Sequence, residues 1–421
     1  MDIDGDRLRA DIETNAQHGE IDVDEGHGRT VLTGTDANRA ARELLVDRME
    51  AAGLDVTVDA VGNVAGTWTP ESADPDAAPV AAGSHIDSVP GGGIFDGPLG
   101  VYAALEAVRA MQDAGIEPAR PLVVVSFTEE EGQRFADGLL GSSVAVGERS
   151  VEEALAIEDD DGITLEASLS RIGFHGEGRL DASEWEAWYE LHVEQDTRLE
   201  RENVPVGVVT TITGITHCEA EIVGEANHAG ATPMNERRDA LAAASEVVLD
   251  VEAAANDVVE SESETAVGTV GSLSVSPNAT NVVPGTVELG IDIRDVEYQS
   301  MQTIVEATRS SLAIVEADRG VETSFSRPFD LEPTPMSESL RAAAHRAGEE
   351  AGIRTVDLHS GAAHDTMHVA DVTDAALLFA PSEEGISHNP REWTDWGDCA
   401  SAARVLAGAI AESAGADAAG E

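Results

Sequence analysis

Five short stretches of this chain gather side chains able to hold cations and move protons. The first is Gly83-Ser84-His85-Ile86-Asp87, and the second is the glycine-rich run ending in Phe95-Asp96-Gly97. The third is Thr128-Glu129-Glu130-Glu131-Gly132. The fourth is Glu190-Leu191-His192-Val193-Glu194-Gln195, and the fifth is Gly385-Ile386-Ser387-His388-Asn389-Pro390. Histidine with Asp and Glu makes a donor set suited to Zn²⁺, Mn²⁺ or Co²⁺. Asp87, two residues beyond His85, is placed to hydrogen-bond the second nitrogen of a ligating imidazole. The glycines before Asp96 let the backbone turn a carboxylate back towards His85. Three adjacent carboxylates repel one another unless a cation compensates. A carboxylate shared between two ions would give a paired centre that activates water and polarises a carbonyl. Singly, each stretch also reads as an ordinary loop pair or a solvated acidic face. Their joint occurrence at strand ends carries the metal reading.

Elements to position these groups are visible in the hydrophobic pattern. Pro79–Ser84 reads as a short buried strand running into the loop that holds His85 and Asp96. Pro121–Phe127 is a continuous apolar run, typical of a strand covered on both faces, and the glutamates follow it directly. Helices are expected at Asp36–Ala52, with Asp36 as N-cap, and at Leu99–Ala114, closed by Gly115. Between them Leu54–Thr69 is rich in β-formers, with a hairpin turn at Gly62-Asn63. This alternation argues an α/β core.

After Gly214 the pattern changes. Strands at His217–Val223, Ala266–Val275, Thr286–Arg294 and Val321–Arg327 alternate with helices at Glu236–Asn256 and Met301–Ala317. The order β-α-β-β-α-β is the ferredoxin-like split unit. The expected organisation is therefore an α/β domain over 1–213 and 330–421, interrupted by an inserted domain over 214–329. A helix at Ser337–Gly352, a strand at Ala375–Ala380, a helix at Asp395–Ala414 and a polar tail at Gly415–Glu421 complete the reading.

Composition narrows the chemistry. The chain has 421 residues, with 25 basic against 81 acidic side chains and a net charge of −56. Every basic residue is Arg, so lysine Schiff bases, P-loop lysines and Ser–Lys pairs are excluded. So acidic a surface disfavours nucleic acid and anionic membranes as partners. The acids are spread between apolar runs, as in a folded protein adapted to molar salt, where the Debye length is only about 3 Å. Cys218 and Cys399 make neither a disulfide framework nor a thiolate zinc site. No signal sequence or apolar span is evident, so a cytoplasmic location is expected.

The five stretches resemble those of the M20-type metallopeptidase clan, and most closely its amidase branch, the hydantoinase/carbamoylase family. The matching segments are GSHIDSVPGGGIFDGPLGV, SFTEEEGQRF, ELHVEQ, ANHAGATPM, NVVPGTVELGIDIR, SGAAHD and GISHNPREWT, spread over residues 83 to 394. The resemblance implies a catalytic α/β domain and an inserted dimerisation and lid domain. It implies two divalent ions per subunit, zinc first, with manganese, cobalt or nickel as alternatives. His85, Asp96 and His192 would hold one ion; Asp96, Glu131 and His388 the other. Glu130 would be the general base and Asp87 the residue behind His85. His228 would reach the substrate carbonyl in a partner subunit's site, so a homodimer is expected. Gln195, Asn281, Arg294 and Gly361 would bind the substrate, a small ureido acid. The implied reaction is hydrolysis of N-carbamoyl-L-amino acids to amino acid, carbon dioxide and ammonia, with allantoate or a β-ureido acid as the alternative substrate. A peptidase or aminoacylase of the same clan, or a silent metal-binding assembly protein, is a further alternative. Asp196, Ala363 and Ser88 depart from the Gly, Gly and Thr usual in the family.

Overall fold

The computed structural model describes residues 1–136 and 138–416, so the expected polar tail lies, beyond Ala416, outside the described residues. The chain forms two compact units: Met1–Thr210 with the chain from Met336 onward, and Thr211–Pro335.

The first unit is built on a mixed sheet whose strands run in the order Val206–Ile212, Ala375–Ala380, Ala187–Val193, Val80–His85, Leu122–Phe127, Val64–Trp68 and Asp55–Val58. The four strands from Ala375–Ala380 to Leu122–Phe127 are mutually parallel. Val64–Trp68 and Asp55–Val58 add an antiparallel hairpin at one side. Its turn spans Asp59–Asn63, and the Asp59 carboxylate accepts from the Val61 and Asn63 amides at 3.0 and 2.9 Å. All six residues of Val80–His85 and of Leu122–Phe127 are buried, because the sheet is covered on both faces. Ala82, Val124, Tyr189 and Leu378 pack with the helices Pro98–Ala114 and Trp396–Ser413. Ala81, Val125 and Trp188 lie in a second cluster with Ala145 and Val369. Strand alternation divides the neighbouring residues between these two cores.

Among the expected boundaries that move, two helix starts do so for the same reason. The helix at Asp36–Ala51 is capped by Thr35, whose hydroxyl accepts from the Asn38 amide; Asp36 is the first helical residue. Glu236 falls in a short 3-10 turn, and the long helix runs Ala240–Ser261 from Asp239, whose carboxylate accepts from Leu241 and Ala242. In each case the residue whose oxygen reaches a free helical N–H sets the start.

The second unit has a four-stranded antiparallel sheet in the order Val267–Ser276, Thr286–Asp295, Gly214–Val223, Glu322–Leu331. Its helices are Ala240–Ser261 and Tyr298–Arg319, so the chain order is β-α-β-β-α-β. From Thr216 to Val223, buried and exposed residues alternate strictly, as in a sheet with one face on helices and one in water. Val247, Val251, Ile291, Ile293, Ile304 and Leu312 form that unit's own core.

Candidate active site

Four parallel strands bring their C-terminal ends to one edge of the sheet, where ligand sites of open α/β sheets form. His85 is the last residue of its strand, and the three glutamates begin two residues after Phe127. His192 is the penultimate residue of Ala187–Val193, and His388 follows Ala375–Ala380 by eight residues. Parallel pairing thus collects groups that are about 300 residues apart in the chain.

Asp96 lies at the centre. Its Oδ1 is 3.4 Å from His85 Nε2 and 3.3 Å from His192 Nε2. Its Oδ2 is 3.5 Å from His388 Nε2, which lies 3.3 Å from Glu131 Oε2. Two triads result, His85–Asp96–His192 and Asp96–Glu131–His388, each with its donor atoms within 4.8 Å of one another, and Asp96 belongs to both. Glu130 Oε2 is 3.6 Å from His85 Nε2. His85, Asp96 and His192 are buried, whereas the His388 side chain is 51% exposed and marks the open side.

The imidazole tautomers suit this arrangement. His192 Nδ1 is 3.1 Å from the Val193 carbonyl, and His85 Nδ1 is 3.2 Å from the Asp87 carbonyl. A carbonyl only accepts, so each Nδ1 carries the proton and each Nε2 presents a lone pair. The Asp87 carboxylate also faces His85 Nδ1, at 3.6 Å, while its other oxygen accepts from the Glu131 amide at 3.2 Å. Asp87 therefore touches both the first histidine and the glutamate segment.

The electrostatics require a compensating charge. Burial pushes the Glu131 carboxyl up to about 8, and Asp96 adds to it. Burial likewise holds Glu130 well above the usual carboxylate range; His85 opposes this, and Glu131 and Asp96 reinforce it. Burial would lower His192, but Asp96 raises it to about 9. Buried carboxylates and histidines crowded in this way favour a neutralising positive charge among them. His85 Nε2, although fully buried, has no hydrogen-bond partner. An unpartnered nitrogen lone pair among carboxylates fits a divalent cation, and this donor set is of the hard-to-borderline kind such cations take.

Glu129, the first acid of the run, turns away. With φ at +56° it accepts from the Arg134 and Phe135 amides and leaves Glu130 and Glu131 to face the cluster. Gln195 reaches the rim, its Nε2 3.4 Å from both Asp96 Oδ2 and Ser387 Oγ. Gly361 is exposed, with open space where a side chain would stand. His228, Asn281 and Arg294 belong to the second unit. There His228 pairs with Val282, and the Ala229 amide donates to the Asn281 carbonyl at 2.9 Å, so His228 and Asn281 are neighbours. Arg294 Nε is 3.0 Å from Asp292 Oδ1.

Several supporting groups carry no motif. Arg29 is wholly buried, and its guanidinium donates to the carbonyls of Gly93, Ile86 and Asp87, bracing the loop between His85 and Asp96. Arg42, also buried, donates to Thr128 Oγ1 at 3.0 Å, just ahead of the glutamates. Neither stands near a ligand in sequence; only burial in the fold reveals them.

Residues 81–412 match the model of peptidase family M20/M25/M40. The chain belongs to this family. It is 38% identical to an N-carbamoyl-L-amino acid amidohydrolase of Geobacillus stearothermophilus, over 92% of this chain and 94% of the relative. It is 33% identical to an allantoate amidohydrolase of Bacillus subtilis, over 91% of each. Among solved structures, a hydantoinase/carbamoylase family amidase from Burkholderia multivorans superposes with a TM-score of 0.91 at 38% identity, covering 98% of both chains. Within the family, the chain thus falls among amidohydrolases that act on linear C–N amide bonds. Among the described residues no helix is long and apolar enough to cross a membrane.

Proposed function

We propose that this protein hydrolyses the carbamoyl C–N bond of N-carbamoyl-L-amino acids, yielding the amino acid, carbon dioxide and ammonia. The observation that carries this reading is the pair of donor triads sharing Asp96 with Glu130 beside them. It occurs in a chain whose relatives include named carbamoyl amidohydrolases at this level of identity. His85, Asp96 and His192 would hold one divalent cation, and Asp96, Glu131 and His388 the second; zinc suits the donors best, with manganese, cobalt or nickel as substitutes. Such a pair of cations, when bound, lowers the pKa of a water and polarises the ureido carbonyl.

Glu130 then has two tasks. It accepts a proton as water attacks the ureido carbon, and it returns that proton to the nitrogen that leaves as ammonia. The remaining carbamate decays to carbon dioxide and the free amino acid. Asp87 keeps the His85 ring in its tautomer. Gln195 holds the ureido amide, Gly361 offers its backbone, and Asn281 and Arg294 hold the substrate carboxylate. An arginine fork matches a carboxylate in two bonds.

His228 completes the proposal as the donor to the carbonyl oxygen of a substrate in the partner subunit of a homodimer. Its Nδ1 accepts from the Gly230 and Ala231 amides, both at 3.1 Å, so its proton sits on Nε2. That nitrogen is then a ready donor to a developing oxyanion. We assign 1–213 and 330–421 to catalysis and 214–329 to a ferredoxin-like dimerisation and lid domain, and we place the enzyme in the cytoplasm of a halophile.

The test is ammonia release from a panel of L- and D-N-carbamoyl amino acids and allantoate. The purified protein is assayed in molar salt with added Zn²⁺ or Mn²⁺. Turnover of L-carbamoyl acids above allantoate supports the reading. Preference for allantoate would reassign the substrate, and no ammonia from any of them would sink the amidohydrolase proposal.

A further inference from the structure

Behind the two triads lies a buried carboxylate that the reaction above does not use. Glu392 is 1% exposed. Its Oε1 accepts from the Phe95 and Asp96 amides, at 2.9 and 3.0 Å. Its Oε2 is 3.1 Å from Ser387 Oγ, which is also 2.8 Å from Asp96 Oδ2. The Ser387 hydroxyl has one proton and serves one carboxylate at a time. Glu392 thus touches the backbone of Asp96 on one side. On the other it meets the residue that precedes His388 and contacts Asp96's own carboxylate.

The surrounding chain makes room for this contact. A Cβ on Gly93 would stand 2.3 Å from Glu392 Oε1, so the loop can pass only as glycine. The Gly93 carbonyl is held by buried Arg29, at 3.1 Å. The His27 amide donates to the Pro390 carbonyl at 2.6 Å, fastening the segment that carries His388 and Glu392 to the same N-terminal strand region. Two loops separated by about 300 residues are therefore joined at one carboxylate.

We infer that Glu392 is a positioning residue for the metal centre: it fixes Asp96, and through Ser387 it sets the approach of His388. The inference rests on the two-cation reading above. Asp96 is the donor common to both triads, so a small rotation of its carboxylate would spoil both at once. Glu392 prevents that rotation by holding the Asp96 amide and by sharing the Ser387 hydroxyl. Loss of such outer contacts typically lowers metal affinity by about 10- to 100-fold.

The experiment is a Co²⁺ titration of the full-length, metal-stripped protein against a chromophoric chelator, with the visible spectrum of the bound ion recorded. Native protein, Glu392→Ala, Glu392→Gln and Ser387→Ala are compared, and the metal-free forms are melted in parallel. Expected are two ions per native chain and a loss of about 10- to 100-fold in affinity for Glu392→Ala. Glu392→Gln, which keeps an acceptor for the two amides, should recover most of that loss. Ser387→Ala, which leaves the backbone contacts in place, should alter the Co²⁺ spectrum without lowering the metal-free melting temperature. Native Co²⁺ affinity in both Glu392→Ala and Ser387→Ala would overturn the inference and leave the two-cation reading standing. Should Glu392→Ala not fold, native affinity and spectrum in Ser387→Ala would overturn it equally. If the native protein itself binds no Co²⁺, the two-cation reading falls, and this inference with it.

Discussion

Gly97 stands directly against His85: a Cβ at that position would lie 2.6 Å from the Cε1 and Nδ1 atoms of the ring. Gly97 also has φ at +79°, a conformation that L side chains rarely adopt. Gly97→Ala should therefore push the first ligand off Asp96, with about 1–3 kcal/mol of backbone strain added. Metal content after gel filtration is the measurement. Full native stoichiometry in Gly97→Ala would show that the loop yields instead of His85.

Glu130→Gln should retain both cations and lose about 10²–10⁴-fold in kcat, since one group serves both proton transfers. Glu131→Gln should instead lose metal. If Glu130→Gln turned over near normally while Glu131→Gln kept full metal, the two roles would be interchanged.

Arg294→Lys should raise KM strongly for substrates that carry a carboxylate, because lysine keeps the charge and loses the fork. A carboxamide analogue should be little affected. Equal losses on both would mean that the Arg294–Asp292 contact serves the strand rather than the substrate.

Glu130→Gln and His228→Ala, each inactive alone, should complement when their subunits exchange. Statistical mixing of a two-fold dimer returns about a quarter of native activity, from the one intact site in each hybrid. No recovery after exchange verified by mass would remove His228 from the neighbouring subunit's site.

With 81 acidic and 25 basic residues, the fold should weaken as salt is diluted from molar to millimolar, where carboxylate repulsion is no longer screened. Circular dichroism across a salt series measures this. A melting temperature independent of salt would dismiss the halophilic reading.

The candidate donors could be read from the linear chain because each sits next to a signal of its own. His85 and the glutamates adjoin buried apolar strands, and Asp96 ends a glycine run. The β-α-β-β-α-β order of the inserted segment was equally open to reading, since its strands and helices differ in hydrophobic period. Helix starts were less so: Thr35 and Asp239 become caps through oxygen-to-amide distances of about 3 Å, which local composition does not specify.

What the sequence by itself determined is a set of residue types: histidines, carboxylates and an arginine-only basic complement, placed at the ends of strands. Only the tertiary structure decided which atoms meet. Parallel pairing of four strands carries His85, Glu130, His192 and His388 to one edge, and φ at Glu129 chooses which two of three adjacent acids face inward. The buried supports Arg29 and Arg42 had no local signature, and Glu392, although part of the GISHNPREWT segment, gave no sign there of its contact with Asp96. Their role consists of contacts to segments tens to hundreds of residues away, and a burial that makes an unpaired charge costly. Such long-range contacts are properties of the folded packing, and composition and periodicity along the chain do not encode them one by one.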